Sequence, residues 1–260
     1  MKRRNFLAAA CMASMVPLSE AAPAKGTKGK SDREFYELRH YLIKSQDKQK
    51  RVLDFLKAAE IPALNRIDIS PIGVFKISED NNFDLYVLLP HKSLASVVTA
   101  SSLIVSDTQY NKDGAELLDA PKSDTPYERI ESSLMLAFEA IPKIELPTKA
   151  QTRIFQLRIY ESHNLVAAKK KIEMFNTGGE LEVFRKTGMD PVFFGQSLIG
   201  SRLPNLTYML GFDDMETKEK SWGRFGKHPD WLKLKADPYY KDLVSNITNI
   251  MLEPALCSQI

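Results

Sequence analysis

Two stretches of this chain repeat each other in the same order, and that duplication restricts the available folds more than any other feature. Phe35-Tyr36-Glu37-Leu38-Arg39-His40-Tyr41 matches Ile154-Phe155-Gln156-Leu157-Arg158-Ile159-Tyr160 position for position, about 119 residues later. Phe55 to Pro71 then aligns with Phe175 to Pro191, which pairs Glu60 with Glu180, Ile61 with Leu181 and Leu64 with Phe184. Leu85 to Leu89 aligns with Leu206 to Leu210, and Asp119-Ala120-Pro121 with Ala236-Asp237-Pro238. Ser133-Leu134-Met135-Leu136 aligns with Asn249-Ile250-Met251-Leu252. Ordered matches at a near-constant offset mark an internal repeat.

Each copy carries the same series of element signals. The opening segment alternates apolar and polar residues, as a strand does. Val52, Leu56, Ala59 and Ala63 then recur three and four apart to make one helical stripe, matched by Ala168, Ile172 and Phe175. Pro62 in the first copy and Gly178-Gly179 in the second predict a kink or break in each helix. Two short apolar runs follow, Gly73 to Ile77 and Leu85 to Leu89, around the polar turn Glu79 to Asn82. Their counterparts are Val192 to Phe194 and Leu206 to Leu210, with the turn at Arg202 to Asn205. A second helical region precedes a last strand, Ile130 to Phe138 or Asn246 to Leu252. The order β-α-β-β-α-β is the ferredoxin-like unit. The chain is therefore read as α+β, with units at residues 33–141 and 153–260 joined by a linker at 142–152. A four-stranded sheet with helices on one side leaves its other face bare, so the two sheets are expected to close on each other as a barrel.

At these residues the chain resembles the NIPSNAP family. The strand opening Tyr36, Leu38, Arg39, Tyr41 carries the resemblance, with Pro71 and Pro191 before a strand. Trp222, Phe225, His228-Pro229-Asp230-Trp231 and Met251-Leu252-Glu253-Pro254 add to it. The likeness spans residues 33 to 260 in two copies. It implies a dimeric α+β-barrel fold, akin to cofactor-independent monooxygenases and haem-binding barrels, and it brings no settled reaction. The second copy departs from the pattern, with Phe155 for the tyrosine and Gln156 for the acid.

Strand alternation divides the opening motif into two faces. Tyr36, Leu38 and His40 are expected beneath the helices, and Glu37, Arg39 and Tyr41 between the two sheets, matched there by Gln156, Arg158 and Tyr160. Arginines so placed need carboxylate partners, either as an internal ion-pair network or as a clamp on a ligand carboxylate. Glu37, Arg39, Tyr41, Arg158 and Tyr160 are thus candidate ligand-binding residues. Trp222, His228 and Trp231 are a second group, since aromatic rings around a histidine can line a flat pocket. Asp107 and Tyr110 align with His228 and Trp231, so that histidine lies outside the repeated framework. Residues that recur favour a structural role; Glu37, His40 and His228 do not recur and are where unit-specific function is expected. His91 follows Pro90 at a strand end and is expected to be exposed, and His163 lies in a loop. HExxH, CxxC, P-loop and GxGxxG patterns are absent from the sequence, so no metal site is predicted.

The N-terminus reads as an export signal. Lys2, Arg3 and Arg4 precede an apolar stretch from Phe6 to Leu18, and Ala22-Pro23-Ala24 offers a cleavage site. Arg3-Arg4-Asn5-Phe6-Leu7 is similar to a twin-arginine motif, the alternative being an ordinary secretory signal. Residues 1–24 are assigned to the signal and 25–32 to a flexible linker. A periplasmic or extracellular protein is expected, with lipid anchoring through Cys11 as the minor alternative. Only Cys257 would remain after cleavage, so an internal disulfide is ruled out for the mature chain. The formal charge of +3 gives no basis for a nucleic-acid partner, and no mature segment approaches the length of a membrane span. The expected function is binding of a small molecule or protein partner without a cofactor, in a chain that the resemblance suggests forms a homodimer. The alternatives are a cofactor-independent monooxygenase-like enzyme in the barrel pocket, and a haem-binding barrel.

Overall fold

Both units fold into the expected order of elements. The computed structural model describes residues 33–260, so the export signal, Cys11 and the linker to residue 32 lie outside the described residues. The first unit runs β1 (Phe35–Leu42), α1 (Gln46–Phe55), a π-turn (Leu56–Glu60) leading into α2 (Ile61–Arg66), β2 (Gly73–Ile77) and β3 (Leu85–His91). It continues with α3 (Leu94–Val105), α4 (Thr108–Asp113), α5 (Ala115–Leu118) and β4 (Arg129–Ala137). The second runs β5 (Ile154–Glu161), α6 (Leu165–Asn176), α7 (Glu180–Lys186), β6 (Asp190–Ile199), β7 (Asn205–Phe212), α8 (Met215–Lys227), α9 (Pro229–Ala236) and β8 (Asn246–Pro254). The two predicted helix interruptions take different forms. Gly179, at a φ of 91°, separates α6 from α7, a left-handed conformation that glycine adopts without steric cost. In the first unit the chain stays helical, and a π-turn ending at Glu60 absorbs Pro62 at the start of α2.

The eight strands form one closed antiparallel barrel in the order β1-β3-β2-β8-β5-β7-β6-β4. Within each unit the first strand lies between the last and the third, the ferredoxin-like order. Two seams join the units. β2 pairs with β8 through Phe75↔Pro254 and Ile77↔Leu252, and β4 pairs with β6 through Leu136↔Gln196 and Ala137↔Gly195. No strand of this barrel retains a free edge, because closure pairs those edges within one chain.

Three large apolar clusters make up most of the core, and a small fourth gathers Ala167, Met174 and Leu243. The barrel interior holds Tyr36, Leu38, Phe75, Leu88, Met135, Phe155, Leu157, Phe193, Met209 and Leu252. One outer cluster packs α1, α2 and α4 against the first sheet, around Tyr41, Val52, Leu56, Leu64 and Tyr110. The other packs α6, α7 and α8 against the second sheet, around Tyr160, Phe175, Phe184, Tyr208 and Phe225. The expected facing of the opening strands is therefore reversed. Tyr36 and Leu38 fill the barrel, whereas Tyr41 and its neighbours of the same parity lie beneath the helices. Both sides of each strand are covered, so alternation separates two sets of residues without saying which set is inside.

The last-strand alignment also shifts by one. Leu38 pairs with Ser133 and Leu157 with Ile250, so Ser133 corresponds to Ile250, and Met135 to Leu252. A one-residue slip moves a side chain to the opposite face. Met135 and Leu252 both point inward, whereas the aligned Met251 does not belong to the interior cluster.

The β4–β6 seam depends on a close approach. A Cβ at Gly195 would lie 2.8 Å from the Cβ of Met135. Gly195→Ala is expected to destabilise the barrel by about 1–3 kcal/mol through overpacking, read as a lower urea midpoint with unchanged slope. Gly223→Ala, in α8 with nothing near the added carbon, is expected to be neutral or stabilising by up to about 1 kcal/mol.

Candidate functional site

The repeated arginines lie between sheet and helices, and the two units satisfy them differently. In the first unit Arg39 donates through Nε to Glu37 Oε1 at 2.7 Å and through Nη2 to Glu37 Oε2 at 3.0 Å. Its Nη1 donates to Glu60 Oε1 at 2.6 Å, on the π-turn. Ser132 Oγ donates to Glu37 at 3.0 Å, and the Tyr41 hydroxyl is 3.4 Å from Glu60 Oε2. Burial alone would raise the Glu37 pKa, but His91 at 3.6 Å and the two-point contact with Arg39 outweigh it and hold the carboxyl at about 2. His91 was expected to be exposed, yet its ring is fully buried, with Nδ1 3.0 Å from Ser96 Oγ. Pro90 ends no exposed stretch here, because α3 folds back over the strand end. The cluster is a filled ion-pair network.

In the second unit Gln156 replaces the acid, and Glu180 has another partner. Lys171 Nζ donates to Glu180 Oε2 at 2.5 Å. Burial raises the Glu180 pKa while Lys171 and Arg158 oppose the shift. Arg158 is left without the two-carboxylate clamp of Arg39. Its guanidinium lies 4.7 Å from the Trp222 ring centre and 5.3 Å from that of Tyr160, and its Nε is buried without a hydrogen bond. Trp222 Nε1 donates to Gln156 Oε1 at 2.7 Å, and the Tyr208 and Tyr160 hydroxyls are 2.9 Å apart. Burial raises the pKa of both tyrosines. Trp231 packs on Phe225 at 4.5 Å between ring centres. His228 caps α9 by accepting the Asp230 N–H at Nδ1. Asp107 caps α4 in the same way, so this position is a helix cap in both units. The structure does not gather His228, Trp222 and Trp231 around a shared cavity.

A polar opening lies elsewhere, at one mouth of the barrel. The opposite mouth is closed: Ile144 and Ile260 pack onto the interior cluster there. At the open end a cleft of about 460 Å³ has Leu38 and Ile159 as its apolar floor, and His40, Glu131, Ser133, Ser197 and Thr207 around it. A second opening of about 620 Å³ shares His40 and Tyr86 and reaches Asp84, Ile77 and Ile250. Arg39, Arg158 and His228 line neither. His40 is held on two sides. Its ring stacks on Tyr86 with centres 4.5 Å apart and planes 6° apart, and its Nε2 is 2.9 Å from Asp84 Oδ2. Asp84 is itself fixed, accepting the Ile43 N–H at Oδ1 over 2.7 Å. A carboxylate so placed selects the imidazole form with hydrogen on Nε2 and leaves the Nδ1 lone pair available. Nδ1 is 3.9 Å from Glu131 Oε2. Burial, reinforced by the charge of Asp84, pushes Tyr86 to about 12, so its hydroxyl stays neutral. Among the described residues no group of three or more His, Cys, Asp and Glu is arranged to hold a metal ion.

His40 was marked in the sequence because it does not recur. Asp84, Tyr86, Glu131, Ser133, Ser197 and Thr207 were not among the candidate site residues. Register would have found four mouth positions: His40, Tyr86, Glu131 and Ser133 correspond to Ile159, Thr207, Thr248 and Ile250. One layer deeper, Leu38 and Leu88 correspond to Leu157 and Met209. Both units are apolar at the Leu38/Leu88 and Leu157/Met209 pairs, and they differ in polarity at the open mouth.

The fold and this register define a tandem ferredoxin-like α+β barrel formed within a single chain. Residues 155–259, in the second unit, match the NIPSNAP family model. Among solved structures, a candidate monooxygenase from Fusobacterium nucleatum is 8% identical with a TM-score of 0.57, covering 86% of this chain and 94% of the other. A second from Lactobacillus acidophilus is 11% identical with a TM-score of 0.55, covering 85% and 94%. An anthrone oxidase-like protein is 8% identical with a TM-score of 0.50, covering 86% and 92%. At these identities the likeness is one of fold. No curated protein matches the sequence.

The unequal treatment of the two arginines is measurable. Arg39→Met strands two carboxylates and is expected to cost about 3–5 kcal/mol in chemical denaturation. Arg158→Met removes a cation–π contact and is expected to cost about 0.5–2 kcal/mol. Glu37 also gives stability a pH dependence. Its folded pKa is depressed, so its contribution is complete above the ordinary carboxylate value of 4.5 and is lost as pH falls from there towards about 2. The loss is on the order of 3 kcal/mol, and Glu37→Gln should flatten that part of the stability–pH curve.

Proposed function

We propose that the protein binds a small molecule in the open mouth of the barrel. One observation carries this reading: where the interior opens to solvent the first unit places a histidine, a tyrosine, an acid and a serine, at positions that hold isoleucine, threonine, threonine and isoleucine in the second. A barrel of eight strands has just enough room for side chains to fill it, and the middle and far end are filled. A mouth of about 460 Å³ lies within the range of small-ligand pockets. If the export signal read from the N-terminus acts, the site works in the periplasm or outside the cell.

A cofactor-independent monooxygenase-like enzyme is the second reading. The Asp84-oriented His40 supports it, since such a pair can serve as a general base, and the barrel neighbours named as candidate monooxygenases fit it at the level of fold. Dioxygen uptake in the presence of bound compounds distinguishes an enzyme from a binding protein. The haem alternative has less in its favour, because hydroxyl and carboxylate groups line the opening beside His40 where a porphyrin face needs apolar walls.

Crystals soaked with a set of small ring compounds test the binding reading. Fragments are expected to gather between His40, Ser133 and Thr207, and Ser133→Trp should abolish their binding while shifting the melting temperature little. Fragments that leave the mouth empty and settle elsewhere would overturn the reading.

A further inference from the structure

We propose that the mouth selects a neutral compound with a weakly acidic hydroxyl, a phenol or an enol, and that His40 Nδ1 takes that hydroxyl's proton. The inference rests on the mouth being the ligand site, and it adds the ligand's chemical class and the role of one residue.

Charge argues for a neutral ligand. The fixed charges around His40 are the carboxylates of Asp84 and Glu131. The cation among the lining residues, Arg202, stands at the rim, donating to Thr248 Oγ1 at 3.1 Å and lying 3.6 Å from Glu161 Oε1. A ligand arriving as an anion would approach two carboxylates, whose repulsion grows as water is displaced. A neutral ring avoids that cost and gains apolar contact with Leu38 and Ile159 on the floor.

Geometry argues for proton transfer. Ile43 N–H fixes Asp84, Asp84 fixes Nε2, and the Tyr86 ring fixes the imidazole plane. The remaining nitrogen, Nδ1, has Glu131 at 3.9 Å, beyond hydrogen-bonding distance. A hydroxyl seated against Nδ1 meets a lone pair whose direction is already set. In the transfer the ligand O–H bond breaks and an N–H bond forms at Nδ1. The imidazolium so created lies between Asp84 and Glu131, which stabilise it. The negative charge stays on the ligand oxygen, in the cleft whose wall carries the Ser133 hydroxyl, while the Ser197 and Thr207 hydroxyls already donate to Asn205 Oδ1. Electrons stay with oxygen throughout, so the step requires no oxidant.

The second unit provides the internal contrast. Ile159 occupies the position equivalent to His40, and Thr207 that of Tyr86. The base and its stacking partner were placed on one side of the mouth only, and the ligand ring has the apolar isoleucine opposite.

The probe is 4-nitrophenol, whose ionised and neutral forms absorb at different wavelengths, added to the purified full chain below the pH at which the free probe ionises. The expected result is saturable appearance of the ionised band, with 4-nitroanisole, which has no proton to give, binding at least about tenfold more weakly. His40→Gln and Asp84→Asn should each reduce the ionised fraction of bound probe by about tenfold, and Ser133→Trp should remove binding. Asp84→Asn keeps the carboxylate's shape, so the test survives if His40→Gln fails to fold. Bound probe that stays neutral in the unmodified protein overturns the proton transfer and leaves the mouth as a binding site. Binding that is unchanged in Ser133→Trp, or no binding of either compound, overturns both.

Discussion

The structure depends on the mutual closure of two half-barrels. Each unit's sheet has an apolar inner face, led by Tyr36, Leu38 and Leu88 in one and Phe155, Leu157 and Met209 in the other. Neither face can be buried without the other, and the seams β2–β8 and β4–β6 satisfy the edge hydrogen bonds at the same time. Closure also explains an exchange of bulk between the copies. Gly73 and Phe75 stand in register with Phe193 and Gly195. The Phe75 ring covers Gly73, whose added Cβ would lie 2.5 Å from it, and Met135 crosses over Gly195. Two identical units would place both phenylalanines, or both glycines, at the same height. The exchange fills the interior with less symmetry and more complete packing.

Much of this was legible in the sequence because strands, turns and helix stripes are local signals. The run Gly73 to Ile77 coincides with β2, and Val52, Leu56, Ala59 and Ala63 are all buried. Facing was illegible for a physical reason. A strand covered by helices outside and by a barrel inside has no solvent side, and Tyr36 and Tyr41 are both almost wholly buried although they point in opposite directions. The one-residue slip between Met135 and Met251 has a similar cause, because the two methionines look equivalent until backbone pairing assigns their faces. The mouth was partly visible. His40 stood out by failing to recur, but its partner Asp84 is 44 residues away and only strand pairing brings them together.

The buried acids show how a duplicated framework can be satisfied in two ways. Glu60 and Glu180 begin or end the same helical turn in the two units. In the first, the strand arginine reaches the acid, and Glu37 and Ser132 complete the network. In the second, Lys171 reaches the acid from the neighbouring helix, and the strand arginine turns to aromatic faces instead. A buried carboxylate needs a cation, but it does not specify which element supplies it. A recurring arginine therefore does not define a recurring role, and the tryptophan that receives Arg158 is explained by this change of partner.

A duplicated barrel has two mouths, and here they carry opposite tasks. At one, Ile144 and Ile260 add apolar bulk to the interior and exclude water. At the other, the hairpin turns after β2 and β6 stand apart and leave polar groups facing solvent. Packing alone does not require a histidine there, since Ile159 occupies the equivalent position and serves as floor. His40 brings an orienting carboxylate, a stacked tyrosine and a second acid within 4.5 Å. Each adds desolvation or ordering cost that an isoleucine avoids. The filled interior supplies the rigidity that holds such a group in one orientation, and duplication left one half of the mouth free to diverge while the other kept the barrel closed.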